Sequence, residues 1–276
     1  MKFAFVLASL IALVAAQDTE SIEIVGGKEA PVGQHRYIAG LKRAANATSS
    51  CGGSLIAPNV VLTAAHCTGF NLTYLVIGSH YFNGTSDGEL VKVTEEIRHP
   101  NNNPFTFAND VAILLLERSI TTIEPVKVSF ETVPGGVDTW VRGWGTTSSG
   151  GVLSPVLKEL KIKTWDNADA AKALSPSEMD ETMLAAGGEE GEDTCRGDSG
   201  GPLTIEDAAG VRLVGAVSWG IGCAQLNKPG VNARLSSARS FIEPYLLSSS
   251  KSASVGYIRG SEDVVNTDAA VVGDEK

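Results

Sequence analysis

The sequence predicts an all-β fold, and three observations carry that expectation. From Ile24 onward, short runs of β-branched and aliphatic residues recur between clusters of Gly, Pro, Asn and Ser, the spacing of a sandwich or a barrel. Strand and helix patterns do not alternate over long stretches, which argues against a parallel α/β sheet. Helical patterning is confined to Asp166–Ala173, Ser177–Ala186 and Ser236–Leu247, and the first two offer few apolar positions to bury. The 276 residues, 43% apolar and 20% charged, suffice for one large domain or two mid-sized ones.

In chain order, Lys2 precedes an apolar run from Phe3 to Ala16 that ends in the small residues Val14, Ala15 and Ala16. That layout predicts a secretory signal peptide over 1–16, because the run is short of the roughly 20 residues a membrane-spanning helix needs. Residues 17–23 are polar and acidic, too short to fold alone, and read as a propeptide. Candidate strands follow at Val60–Leu62, Tyr74–Ile77, Val111–Leu116 and Arg212–Trp219. Beyond Leu247, three serines open a stretch to Lys276 without sustained periodicity, read as a flexible acidic tail over 248–276.

Twenty-two Lys and Arg against 32 Asp and Glu leave a formal charge of −10, which speaks against a nucleic-acid partner. An extracellular location, no membrane partner, a monomer and no cofactor are expected. In an oxidising compartment the four cysteines favour disulfides, with three pairings open. No Cys-x-x-Cys occurs, and His35, His66, His80 and His99 lack zinc-site spacing, so no metal is expected. Asn-x-Thr sequons at Asn46, Asn71 and Asn83 fit the same secretory route.

Chemistry concentrates in three segments. In Gly197-Asp198-Ser199-Gly200-Gly201-Pro202, clustered glycines let the backbone turn sharply, expose a serine and aim neighbouring amides at one point. A serine is a weak nucleophile at neutral pH and needs a base, which in turn needs an orienting group. Leu62-Thr63-Ala64-Ala65-His66-Cys67 offers the base beside a potential disulfide. Asn109-Asp110, at the head of the apolar run Val111–Leu116, offers a carboxylate for which burial makes a histidine partner welcome. Taken singly, these pieces are better read as a turn serine, a core histidine and a capping aspartate.

Together, and in the order His, Asp, Ser, they resemble the trypsin or chymotrypsin family of serine proteases. The resemblance runs over about residues 24–247. It includes Ile24-Val25-Gly26-Gly27, Cys51-Gly52-Gly53-Ser54-Leu55-Ile56, Gly143-Trp144-Gly145 and Val217-Ser218-Trp219-Gly220. It implies two antiparallel six-stranded β-barrels of the chymotrypsin type, a C-terminal helix and a site in the crevice between the barrels. Ser199 would be the nucleophile, His66 the general base and then acid, and Asp110 the group that orients the imidazole. The amides of Gly197 and Ser199 would form the oxyanion hole, its geometry set when a new amino terminus at Ile24 pairs with Asp198.

The resemblance further implies a substrate pocket with Asp193 at its floor, bordered by Ser218, Gly220 and Gly230, and hence protein or peptide substrates cut after Arg or Lys. Disulfides Cys51–Cys67 and Cys195–Cys223 are implied in the same way. Several positions depart from the family. Glu23 stands where most zymogens carry Arg or Lys, so a separate activating protease is expected. The cysteines of a third disulfide, near Asn167 and Ala185, are both absent, which predicts a looser wall behind the pocket. Asn232 replaces an aromatic beneath it, and Arg196 adds a cation at its rim.

The stretch Gly78–Glu89 lacks well-placed oxygens for a calcium loop. It is similar to a second group, the secreted glucanase inhibitor proteins of plant pathogens, which share the fold, have lost triad residues and act by binding. The sequence therefore supports a trypsin-like endopeptidase made as a zymogen and, as the alternative, a catalytically silent homologue that binds another secreted enzyme such as a glucanase.

Overall fold

The computed structural model describes residues 26–84, 86–146 and 151–247. The leader, the propeptide, Ile24 and the tail lie outside this range. The first half closes into a barrel of β2 (Ile38–Lys42), β3 (Cys51–Ala57), β4 (Val60–Thr63), β5 (Tyr74–Ile77), β6 (Glu89–Arg98) and β7 (Ala112–Leu116), in the order β2-β3-β4-β7-β6-β5. All six neighbouring pairs are antiparallel. Every residue of β2 and β4 is buried, as strands do when they wall a small closed barrel filled by side chains.

The second half holds β9 (Asp138–Gly143), β10 (Lys158–Lys163), β11 (Met183–Ala186), β12 (Pro202–Asp207), β13 (Gly210–Trp219) and β14 (Gly230–Arg234), in the order β10-β9-β12-β13-β14-β11. An antiparallel bridge between Thr164 and Ala186 joins the two ends of this series. Two short strands extend it. β1 (Lys28–Glu29) pairs with β10, and β8 (Lys127–Val128) runs parallel to β13, the one departure from antiparallel pairing among the described strands.

All four candidate strands form. Of the three candidate helices, α1 occupies Asn167–Leu174 and residues 239–247 are helical. Residues 183–186 of the middle candidate are instead strand β11, with four consecutive buried residues paired to β14. Its Met-Leu-Ala-Ala run suits either state when read locally, and the free edge of β14 decides it.

Candidate active site

The crevice between the barrels brings together residues distant in sequence. Asp110 enters β7 from a turn in which Phe107 and Asn109 take left-handed backbone angles (φ +59° and +51°). Its side chain is fully buried. Oδ1 accepts the His66 backbone amide at 2.8 Å and Oδ2 pairs with His66 Nδ1 at 2.7 Å. A carboxylate can only accept, so Nδ1 carries the proton, and Nε2, 3.7 Å from Cys67 Sγ, is the ring nitrogen with a lone pair to offer.

Sequence reading places Ser218 at the substrate pocket and misses its second contact, a hydroxyl donated to Asp110 Oδ2 at 2.6 Å. A register shift in β13 between Val217 and Trp219 reorients the strand at this residue, the usual work of a bulge beside a site. His66 itself sits in a 3-10 turn, Ala65–Cys67, held by the Cys51–Cys67 disulfide and by the edge of the Phe107 ring, 5.7 Å away.

Ser199 occupies a turn tied down on all sides. Gly200 N donates to Val217 O (2.7 Å), Gly201 N to Asp198 O (2.8 Å), and Gly52 N of the first barrel to Ser199 O (2.7 Å). Gly197 has φ +103°, a backbone conformation that favours glycine, and a methyl there would also crowd the Gly145 backbone at 3.1 Å. Among the described residues, the amides of Gly197 and Ser199 have no acceptor and the Ser199 hydroxyl makes no hydrogen bond. Two unengaged amides flanking a serine can stabilise a developing oxyanion, and nucleophile–base contacts commonly tighten only when substrate binds.

Beneath Ser199 lies a cavity of about 310 Å³ lined by Asp193, Ser218, Gly220 and Gly230, with Arg196 exposed at its rim. Gly220 leaves its side of the mouth open, and a methyl on Gly230 would stand 3.1 Å from Asp193 Oδ1. Asp193 is 4% exposed and accepts the amides of Thr194 (2.8 Å) and Ala224 (3.0 Å). Burial outweighs those two donors and pushes its pKa up to about 6. The described residues give it no cationic partner, so an incoming guanidinium or ammonium would meet an uncompensated buried carboxylate. Larger clefts of about 740 and 660 Å³ run along β9 and β10, but neither holds a nucleophile beside a base.

Asp198 is buried behind the serine turn, its oxygens taken by the amides of Gly145 (2.9 Å) and Cys195 (3.0 Å), and burial lifts its pKa to about 6. Ile24, the expected partner of Asp198, lies outside the described residues. Gly26, two residues on, packs against the loop leading into the pocket floor, where a methyl would come within 2.6 Å of Gly191 O and Glu192 Cγ. A methyl on Gly145 would collide with both carboxylate oxygens of Asp198. Gly145→Ala is therefore expected to cost about 1–3 kcal/mol in a urea melt, the usual penalty of overpacking, and to displace the serine turn. Unchanged stability would mean that Asp198 is free to move.

Both implied disulfides form, Cys195–Cys223 closing the pocket's outer loop. Where the cysteines of a third disulfide are missing, hydrogen bonds join the same segments. Asn167 Nδ2 donates to Asp180 O (2.8 Å) and Met183 O (3.2 Å), Arg234 Nη2 donates to Asn167 Oδ1 (2.8 Å), and Trp165 N donates to Ala185 O (2.9 Å). Asn232, buried beneath the pocket, donates to Leu184 O at 3.1 Å, while its Oδ1 has no partner among the described residues.

The carboxylates of the loop at 78–89 turn to protein donors, Asp87 to Ser79 Oγ and His80 N, Glu89 to Arg118 and Thr122. The grouping of Cys51, His66 and Cys67 is the disulfide beside the ring and offers no thiolate for a metal.

Two β-barrels with a buried aspartate, a histidine and a glycine-flanked serine in the crevice define a protein of the chymotrypsin type. Residues 24–242 match the trypsin family model, and the chain belongs to that family. Among its relatives, glucanase inhibitor protein 1 of Phytophthora infestans is 36% identical over 237 residues, 83% of this chain and 90% of the relative. Glucanase inhibitor protein 2 of Phytophthora sojae is 34% identical over 255 residues, 88% and 87% respectively. Trypsin 5G1 of Aedes aegypti is 37% identical over 227 residues, 80% and 84% respectively.

Proposed function

We propose that this protein is a secreted serine endopeptidase that cuts after Arg or Lys and is activated by removal of residues 1–23. The observation that carries this reading is the Asp110–His66 pair, with Nδ1 held by the carboxylate, in a crevice that also holds Ser199 above the Asp193 pocket. Ser199 Oγ attacks the scissile carbonyl while His66 Nε2 takes its proton, and buried Asp110, steadied by Ser218, stabilises the imidazolium. The amides of Gly197 and Ser199 take the oxyanion. His66 then protonates the leaving amine, and water hydrolyses the acyl-enzyme by the same steps in reverse.

Asp198 accounts for the dependence on processing, since a new ammonium at Ile24 would compensate a carboxylate that burial otherwise disfavours. A form engineered to begin at Ile24 is expected to react with a fluorophosphonate probe and to turn over an Arg-amide substrate, while the full-length chain is not. Equal reaction of both forms would remove the processing requirement, and reaction of neither, with folding intact, would remove the protease reading.

A second reading is favoured by the relatives themselves, several of which carry the name glucanase inhibitor protein at 34–37% identity. On this reading the same scaffold binds a secreted glucanase, and its catalytic residues are incidental. Titrating the protein into a glucanase assay tests this, with inhibition that survives replacement of Ser199 as the expected sign. Absence of inhibition and of complex formation at micromolar protein would count against it.

A further inference from the structure

We infer that the three sequons Asn46, Asn71 and Asn83 form one glycan fence at the rim of the crevice, which screens the active site from protein-sized partners while leaving it open to small ones. The inference rests on the secretory reading above. In sequence the first and last sequons lie 37 positions apart, but the first barrel gathers all three around the end of β2. Lys42, the last residue of β2, is 1% exposed, and its ammonium donates to Asn83 O at 2.6 Å. Its carbonyl accepts the amide of Thr73, the third residue of the Asn71 sequon, at 3.2 Å. Asn46 lies in the hairpin that starts directly after Lys42, and in that hairpin the Arg43 guanidinium stacks over the Phe70 ring at 5.7 Å, next to Asn71.

This edge borders the catalytic histidine. The hairpin of Asn46 leads into Cys51, the loop of Asn71 leads out of Cys67, and the disulfide between those cysteines adjoins His66. Asn46, Asn71 and Asn83 are all exposed. Phe70, 58% exposed, is an apolar ring at the same spot for which an attached sugar would provide cover.

In each attachment the asparagine Nδ2 forms a bond to the anomeric carbon of an oligosaccharide carried on a polyprenyl pyrophosphate. The sugar–phosphate C–O bond breaks, the lipid pyrophosphate leaves and the amide proton passes to solvent. A branched sugar at each of three neighbouring posts restricts the directions from which a large body can approach. A ligand the size of one side chain reaches Asp193 between them.

The test uses protein secreted from a eukaryotic host in the form beginning at Ile24, with and without enzymatic removal of N-glycans, and the variants Asn46→Gln, Asn71→Gln and Asn83→Gln. Intact mass should fall by one oligosaccharide per variant. Affinity for benzamidine, a small amidine that needs only the pocket, should stay constant on deglycosylation. Affinity for a Kunitz-type protein inhibitor should rise several-fold, with Asn71→Gln giving the largest single step. Neither readout requires turnover, so a catalytically silent protein can still be tested. Absence of glycan from all three sites would overturn the inference, and so would equal affinities for the protein inhibitor before and after deglycosylation.

Discussion

Ser199→Ala is expected to lower turnover of an Arg-amide substrate by on the order of 10⁶ in the form beginning at Ile24, the scale set by other enzymes of this mechanism. The residual rate would come from the oxyanion amides and substrate positioning. Folding should survive, because the Ser199 hydroxyl makes no hydrogen bond among the described residues and the turn is held by backbone contacts from Gly52, Gly200 and Gly201. The diagnostic result is lost turnover with an unchanged melting temperature and intact benzamidine binding. Activity retained at even a tenth of the wild-type level would mean that Ser199 is not the nucleophile. The same variant separates the two proposed functions, since a protein that works by binding a glucanase should keep that property.

Asp193→Ser is expected to reduce kcat/KM for Arg and Lys substrates by roughly 10² to 10⁴, the equivalent of about 3–5 kcal/mol for breaking a buried ion pair. Activity toward substrates with an apolar residue at that position should hold or rise. The pH dependence has a defined sign. Burial raises the Asp193 pKa to about 6 in the empty pocket, so the carboxylate is charged above pH 6 and is neutralised as the pH falls through it. KM for an Arg substrate should therefore rise as the pH falls through 6, whereas KM for an apolar substrate should not. Comparing the two substrates cancels any effect of protonating His66. A preference for basic residues that survives Asp193→Ser would move the specificity determinant elsewhere, Arg196 and Asn232 being the nearby positions that depart from the family.

The buried carboxylates also affect folding. Asp193 and Asp198 both bind protons more tightly folded than unfolded, so their contribution makes the unprocessed chain more stable as the pH falls from about 6 toward 4. Burial lowers the pKa values of His35, to about 4, and of His99, which acts in the opposite direction over the same range. The carboxylate contribution is therefore read by comparing denaturation at pH 5 and pH 7 for the full-length chain and its Asp193→Asn variant. In the form beginning at Ile24, an ammonium paired with Asp198 would lower that carboxylate's pKa and shrink the difference.

Much of this was legible in the chain because it depends on local chemistry. Gly197 and Gly200 announce a turn only glycine makes easily, and the small residues around His66 announce a crowded turn. The apolar run after Asp110 announces that this carboxylate enters a core. The strand at 183–186 was not legible, since its pairing partner lies 44 or more residues later in the chain. Nor was the tie that replaces the missing disulfide, because Asn167 meets Arg234 only when β14 returns past α1. Ser218 as a second donor to Asp110 Oδ2 spans 108 residues and rests on an irregularity in β13 that leaves no mark in composition.

By itself the sequence determined which residue types were available: a histidine, an aspartate and a serine in motifs that resemble the trypsin family, four cysteines, three sequons and an acidic balance. Tertiary structure decided which of them meet. The Asp110 side chain faces Nδ1 of His66 rather than Nε2, Asp193 lies buried with no counter-charge among the described residues, and the three sequons gather around the end of β2. Local preference acts over a few residues, whereas these placements follow from closing barrels in which some neighbouring strands, β4 and β7 or β9 and β12, lie tens of residues apart in the chain. Only the packed fold could bring those groups together and remove the water that would otherwise screen their charges.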